Sequence, residues 1–84
     1  MNRERNTYWI HFEAEPEGGY TVTVPALPGC VTWGRNYAEA VEKARECSEG
    51  FLEALSEAGE PIPPAETPSP PADALIDVPL PARA

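Results

Sequence analysis

Glu13, Glu15 and Glu17 crowd one short stretch, and converging carboxylates are what two-metal phosphodiester cleavage requires. Strand alternation puts Glu13 and Glu15 on one face. A metal cage needs further ligands, and the two strands expected next carry no acidic residue. Asp77 is the only other strand candidate, so solvated turn carboxylates are the better account. His11 is the only histidine, on a strand face with Trp9 and Glu13. It has the chemistry of a general base, but no motif supplies a Ser or Cys nucleophile beside it. A surface or interface histidine is expected. Cys30 and Cys47 form no C-x-x-C pattern and read as small, buried, apolar side chains. These residues imply no catalytic site, no metal and no cofactor.

A second constellation is electrostatic. Glu39, Glu42, Glu46, Glu49, Glu53 and Glu57 recur every three or four residues, forming one ridge on a helix. Lys43 and Arg45 flank it, and Glu39–Lys43 has the favourable i, i+4 order. The whole chain of 84 residues carries 14 acidic and 6 basic side chains, a net charge of −8. That balance repels phosphate backbones and argues against direct nucleic-acid binding. It suits a basic protein partner, drawn in by the field of the ridge. An ordinary solvated helix face is the plainer alternative, and both stay open at this point.

The elements that position these groups follow from periodicity. Thr7 to Ala14 reads as a strand with Tyr8, Ile10 and Phe12 on one face and Trp9, His11 and Glu13 on the other. Glu15 to Gly19 is a turn. A second strand runs from Tyr20 to Val24, antiparallel to the first, and a third from Val31 to Gly34. Asn36 caps a helix from Tyr37 to about Ala58, with Glu39 reaching back to the Asn36 N–H in capping-box fashion. Its apolar stripe includes Ala40, Val41, Ala44, Cys47, Ser48, Phe51, Leu52 and Leu55, with Tyr37 and Ala58 at the ends. Gly50 falls in its interior and weakens it by about 1 kcal/mol relative to Ala, and Gly59 ends it. Residues 60–72 hold six of the eleven prolines and read as an extended connector. Ala74 to Leu80 is expected as a last strand, with Ile76, Val78 and Leu80 on one face and Pro79 and Pro81 holding it to an edge. One helix cannot cover both sides of a sheet. Trp9 therefore marks either an association surface or a side packed beneath the connector.

The corner Val24-Pro25-Ala26-Leu27-Pro28-Gly29-Cys30 is the most specific signal. Pro25 ends a strand, and Pro28-Gly29 suits a type II turn. With Trp33-Gly34 closing the next strand, Asn36 and Glu39-Ala40 opening the helix, and Gly59-Glu60-Pro61-Ile62-Pro63 leaving it, the chain resembles the HicB-like antitoxin family over about residues 7–80. The fold motif rests on Pro25, Pro28, Gly29, Cys30, Gly34, Asn36 and Glu39. Family members often carry Gly-Asp-Thr before the helix, where this chain has Gly34-Arg35-Asn36, so the charge at position 35 is reversed.

The resemblance implies a truncated ribonuclease-H-like half-fold. The expected class is α+β, a three-stranded antiparallel meander with one amphipathic helix on one face and a C-terminal edge strand, β-β-β-α-β. Residues 1–60 would form the compact part, 61–73 the connector, and 74–84 the edge strand and tail. The resemblance also implies a partner: a small basic HicA-type toxin that cleaves mRNA, occluded by the antitoxin. Trp9, His11, Glu42, Glu46, Glu49 and Glu53 are the candidate partner-binding residues. A chain this short has a marginal core, so a homo-oligomer, dimer or tetramer, is expected. No export signal or membrane span is visible, which points to the cytoplasm, and the tail is too short for a helix-turn-helix. Two other readings stand beside this one: an orphan oligomeric scaffold or ligand-sensing module, and a minimal metal-dependent nuclease.

Overall fold

Alternation along the first strand decides which side of the sheet is dry. In the computed structural model, which describes residues 5–65 and 74–81, Tyr8 and Ile10 are fully buried and Phe12 is half-buried. The elements run β1 (Arg5–Ala14), β2 (Tyr20–Thr23), β3 (Val31–Gly34), α1 (Tyr37–Ala58) and β4 (Ala74–Pro79). The strands form one antiparallel sheet in the order β3-β2-β1-β4. The expected β-β-β-α-β class is the one observed. β1 is shared lengthwise: Arg5–Ile10 pair with β4, and His11–Ala14 pair with β2. It begins two residues earlier than periodicity suggests because β4 supplies Pro79 and Val78 as partners for Arg5 and Asn6.

The core lies between the sheet and α1. Tyr8, Ile10, Val22, Val24, Leu27, Leu52, Ile76 and Val78 are all at most 1% exposed. Each buried aliphatic or aromatic side chain there contributes about 1.5–3 kcal/mol of transfer free energy. The helix side of this layer is built from small groups: Ala40, Ala44 and Ser48 are fully buried. Small side chains let the helix backbone come close. The closest approach is at Gly34, where an added Cβ would lie 2.5 Å from Ala40 Cα and 2.8 Å from the Glu39 carbonyl carbon. Tyr37 and Ala58, expected in the buried stripe, are instead exposed at the helix ends. Tyr37 lies over Phe12 with ring centroids 4.6 Å apart and turns its other side to solvent.

Both helix ends are capped by local chemistry. Asn36 Oδ1 accepts from the Glu39 N–H at 2.8 Å, and Gly59 closes the other end in the left-handed region with φ 76°. One detail differs from the capping-box expectation. The Glu39 carboxylate accepts from the Arg35 N–H at 2.7 Å rather than from Asn36, and the Arg35 guanidinium meets it at 3.3 Å. These bonds, the backbone one foremost, hold the Glu39 carboxyl below the usual glutamate range. Glu39 therefore serves Arg35 rather than pairing first with Lys43, because Arg35 offers both a backbone donor and a charge. The basic residue at position 35 is used within the chain.

The connector leaves α1 pinned to the sheet. Tyr8 Oη donates to the Pro63 carbonyl at 2.7 Å, and Asn6 Nδ2 donates to the same carbonyl at 3.2 Å. This polar clasp lets a fully buried tyrosine keep its hydroxyl satisfied. Residues 66–73 of the expected connector lie outside the described residues.

Candidate functional site: the open sheet face

The register assigns a second set of side chains to the face away from α1. Across it, Trp33 stands opposite Thr21, Thr21 opposite Glu13, Val31 opposite Thr23, and Thr23 opposite His11. Trp9 stands opposite Leu75, and Thr7 opposite Asp77. No described element covers this face. Val31 is 55% and Trp33 47% exposed, whereas Trp9 and Leu75 are half-buried. A tryptophan and a valine turned to water on short strands, with threonines between them, make an amphipathic platform. Helix stacking on one side leaves this platform as the inevitable other side of a two-layer fold.

The platform has an acidic end. Glu15, Pro16, Glu17, Gly18, Thr21 and Trp33 line an open groove of about 470 Å³. Glu15 lies in the turn after β1, and its carboxylate accepts from Thr21 Oγ1 at 2.5 Å. Thr21 shares the platform with Glu13, so Glu13 and Glu15 do reach one side, as alternation predicts. Asp77 stands at the far end of the same face, paired with Arg5 at 2.8 Å near the start of β1. Among the described residues, no group of three or more His, Cys, Asp or Glu is placed to hold a metal ion.

The corner that feeds this face is a double turn. Leu27 N–H donates to Val24 O and Cys30 N–H to Leu27 O, both at 2.9 Å. Pro25 and Pro28 each occupy the second position of their turn, where a fixed φ near −65° is already correct. Gly29 follows at φ 90°, the value a type II turn demands and an L-residue resists. Val24 N–H then bonds to Cys30 O at 3.1 Å, so the chain enters β3 in register. Leu27 is driven into the core at 0% exposure, anchoring the corner from within.

The six candidate partner residues do not share one surface. Trp9 and His11 stand on the platform. Glu42, Glu46, Glu49 and Glu53 line the outward face of α1, on the other side of the molecule, where Glu42 also pairs with Arg45 at 3.0 Å. Sequence reasoning passed over Trp33 as a site residue, although its alternation with Thr32 gave the signal. It also passed over the contact between Cys30 and Cys47, whose sulfurs are 2.9 Å apart on the helix side of the sheet. No local pattern encodes that contact. Among the described residues, no helix is long and apolar enough to cross a membrane.

Solved structures are similar to this chain in fold. The antitoxin HicB of Burkholderia pseudomallei matches with a TM-score of 0.67 at 28% identity, over 86% of this chain and 61% of that one. The isolated N-terminal domain of the same antitoxin matches with a TM-score of 0.66 over 94% of its length. The chain thus spans a little under two thirds of that HicB chain and nearly all of the N-terminal-domain chain. Among curated relatives, a UPF0150 protein of Thermoplasma acidophilum is 38% identical over 56 residues, 67% of this chain and 81% of the relative. A UPF0150 protein of Synechocystis is 34% identical over 56 residues, 67% of this chain and 71% of the relative. Fold and face together define a two-layer α+β module of the HicB N-terminal type. The model for the HicB-like antitoxin of bacterial toxin–antitoxin systems matches residues 8–74, and the chain belongs to that family.

Proposed function

We propose that this protein neutralises a small, basic, HicA-type toxin by occluding the surface with which the toxin cleaves mRNA. The observation that carries this reading is the open sheet face bearing Trp33 and Val31, in a chain of antitoxin family. Trp33, Trp9 and His11 supply contact area, and Thr21 and Thr23 supply hydrogen-bonding capacity between them. The Glu42–Glu53 ridge faces the other way and acts at a distance. With a net charge of −8, the molecule steers a cationic toxin towards itself without the ridge touching it. The protein works as a homo-oligomer in the cytoplasm, and neither catalysis nor direct nucleic-acid contact is part of its role.

The test uses the HicA-type toxin encoded nearest this gene, purified, with a labelled mRNA. Cleavage should stop near equimolar protein. Trp33→Glu should weaken binding by about 30-fold or more, the ~2 kcal/mol of a well-placed aromatic anchor. Charge reversal at Glu46 and Glu49 should slow association at low salt and leave dissociation unchanged. Undiminished cleavage at a tenfold excess of wild-type protein, taking tenfold as roughly saturating for a micromolar complex, would favour the orphan scaffold instead.

A further inference from the structure

Two cysteines that sequence places far apart meet beneath the corner. Cys30 Sγ donates to Cys47 Sγ at 2.9 Å, with Ser48 Oγ at 3.8 Å from the same Cys30 sulfur. Both residues are free thiols. The backbone on each side is held: Cys30 closes the double turn through bonds to Leu27 and Val24, and Cys47 lies in the middle of α1. The sulfurs need to approach by only roughly 0.9 Å to reach the ~2.05 Å of a disulfide. We propose that Cys30 and Cys47 are the site of a reversible intramolecular disulfide that fastens the Pro-Gly corner to the centre of the helix. This goes beyond the antitoxin reading and does not depend on it, since the pair lies on the helix side and not on the platform.

The order of events follows from burial. Cys30 is 1% exposed and Cys47 is half-buried, so an oxidant reaches Cys47 first. Burial, then the hydrogen bond to Cys47, pushes the Cys30 thiol up to about 12, which keeps it protonated before reaction. The oxidant is a small-molecule disulfide such as glutathione disulfide. Cys47 gives up its proton and its sulfur attacks one sulfur of the oxidant, forming a mixed disulfide and releasing one glutathione thiolate, which takes up that proton. Cys30 then gives up its proton, its thiolate attacks Cys47 Sγ, and the second glutathione leaves as a thiolate that takes up that proton. Two protein thiols lose two hydrogens in all, and one glutathione disulfide becomes two glutathione molecules. In a reducing compartment the pair rests as thiols, and the link forms when glutathione disulfide accumulates.

The experiment treats the full chain with glutathione disulfide and reads intact mass under non-reducing conditions. The expected product is a monomer lighter by two hydrogens, restored by dithiothreitol. Closing a loop between positions 17 residues apart should raise the melting temperature by roughly 10–20 °C over the reduced form. Cys30→Ser should trap one glutathione on Cys47, and Cys47→Ser should take up little or none. A disulfide-linked dimer, a chain carrying two glutathiones, or an unchanged mass in the wild type would each overturn the proposal. These masses are read on the wild-type chain itself and do not require either variant to fold.

Discussion

Gly34→Ala tests the packing principle of this fold most directly. The added methyl would fall inside the contact shell of Ala40 N, 2.5 Å from Ala40 Cα and 2.8 Å from Glu39 C. An ordinary carbon contact begins at 3.4 Å, so the helix must retreat by roughly 1 Å. The colliding atoms are main chain in a capped first turn, which no side-chain rotation can relieve. Retreat would also loosen Ala40 and Ala44 from the sheet and disturb the Asn36 cap. Overpacking of this kind costs about 3 kcal/mol or more. A domain of this length has roughly 4–12 kcal/mol of stability in total, so the loss is a large share. Thermal unfolding followed by far-ultraviolet circular dichroism should therefore show a melting point lower by roughly 10–25 °C. The double variant with Ala40→Gly provides the decisive control. It removes only the Ala40 methyl, so it should not restore stability. A drop below about 4 °C for Gly34→Ala, or rescue by Ala40→Gly, would refute the close-approach account.

Gly50 offers the opposite case: it is exposed, lies within α1, and a Cβ there would meet nothing within 4 Å. Gly50→Ala should stabilise the protein by about 1 kcal/mol and raise the melting point by roughly 4–8 °C, measured in the same way. Glu39 sets a pH dependence whose sign is fixed by its depressed carboxyl. Its contribution is complete above the ordinary glutamate value and is lost as pH falls through the lower folded-state value. Melting curves of wild type and Glu39→Gln should differ at neutral pH and converge at the acid end.

Local chemistry was read well from the sequence because it involves neighbours. Asn36 and Gly59 bracket the helix at the expected residues since each acts on backbone groups within one turn of itself. Pro25, Pro28 and Gly29 specify their own turns, and the alternation of Tyr8, Ile10 and Phe12 gave the buried side of β1 correctly. Features built from distant residues were not legible. The extension of β1 to Arg5 depends on β4, and the reason for Gly34 lies in Ala40, across the gap between two layers. The approach of Cys30 to Cys47 arises only once the corner is folded under α1. Glu39 was assigned the right role with the wrong donor, because Arg35 competes through charge as well as through its N–H. The candidate partner residues follow from strand alternation and helical periodicity, and these already imply that the platform and the acidic ridge lie on opposite sides of the two layers.

The lengthwise sharing of β1 has a consequence for how the chain is made. Its first half, Arg5–Ile10, finds its mate only in β4, with Arg5 and Asp77 standing 72 positions apart. During synthesis this half waits with bare main-chain donors and acceptors while the hairpin, corner and helix are already able to assemble. The nascent protein thus passes through a stage with an unsealed strand margin, open to mispairing with any extended segment nearby. Arrival of Ile76 and Val78 both seals that margin and completes the apolar layer, so the final strand closes the molecule like a zip drawn from its far end.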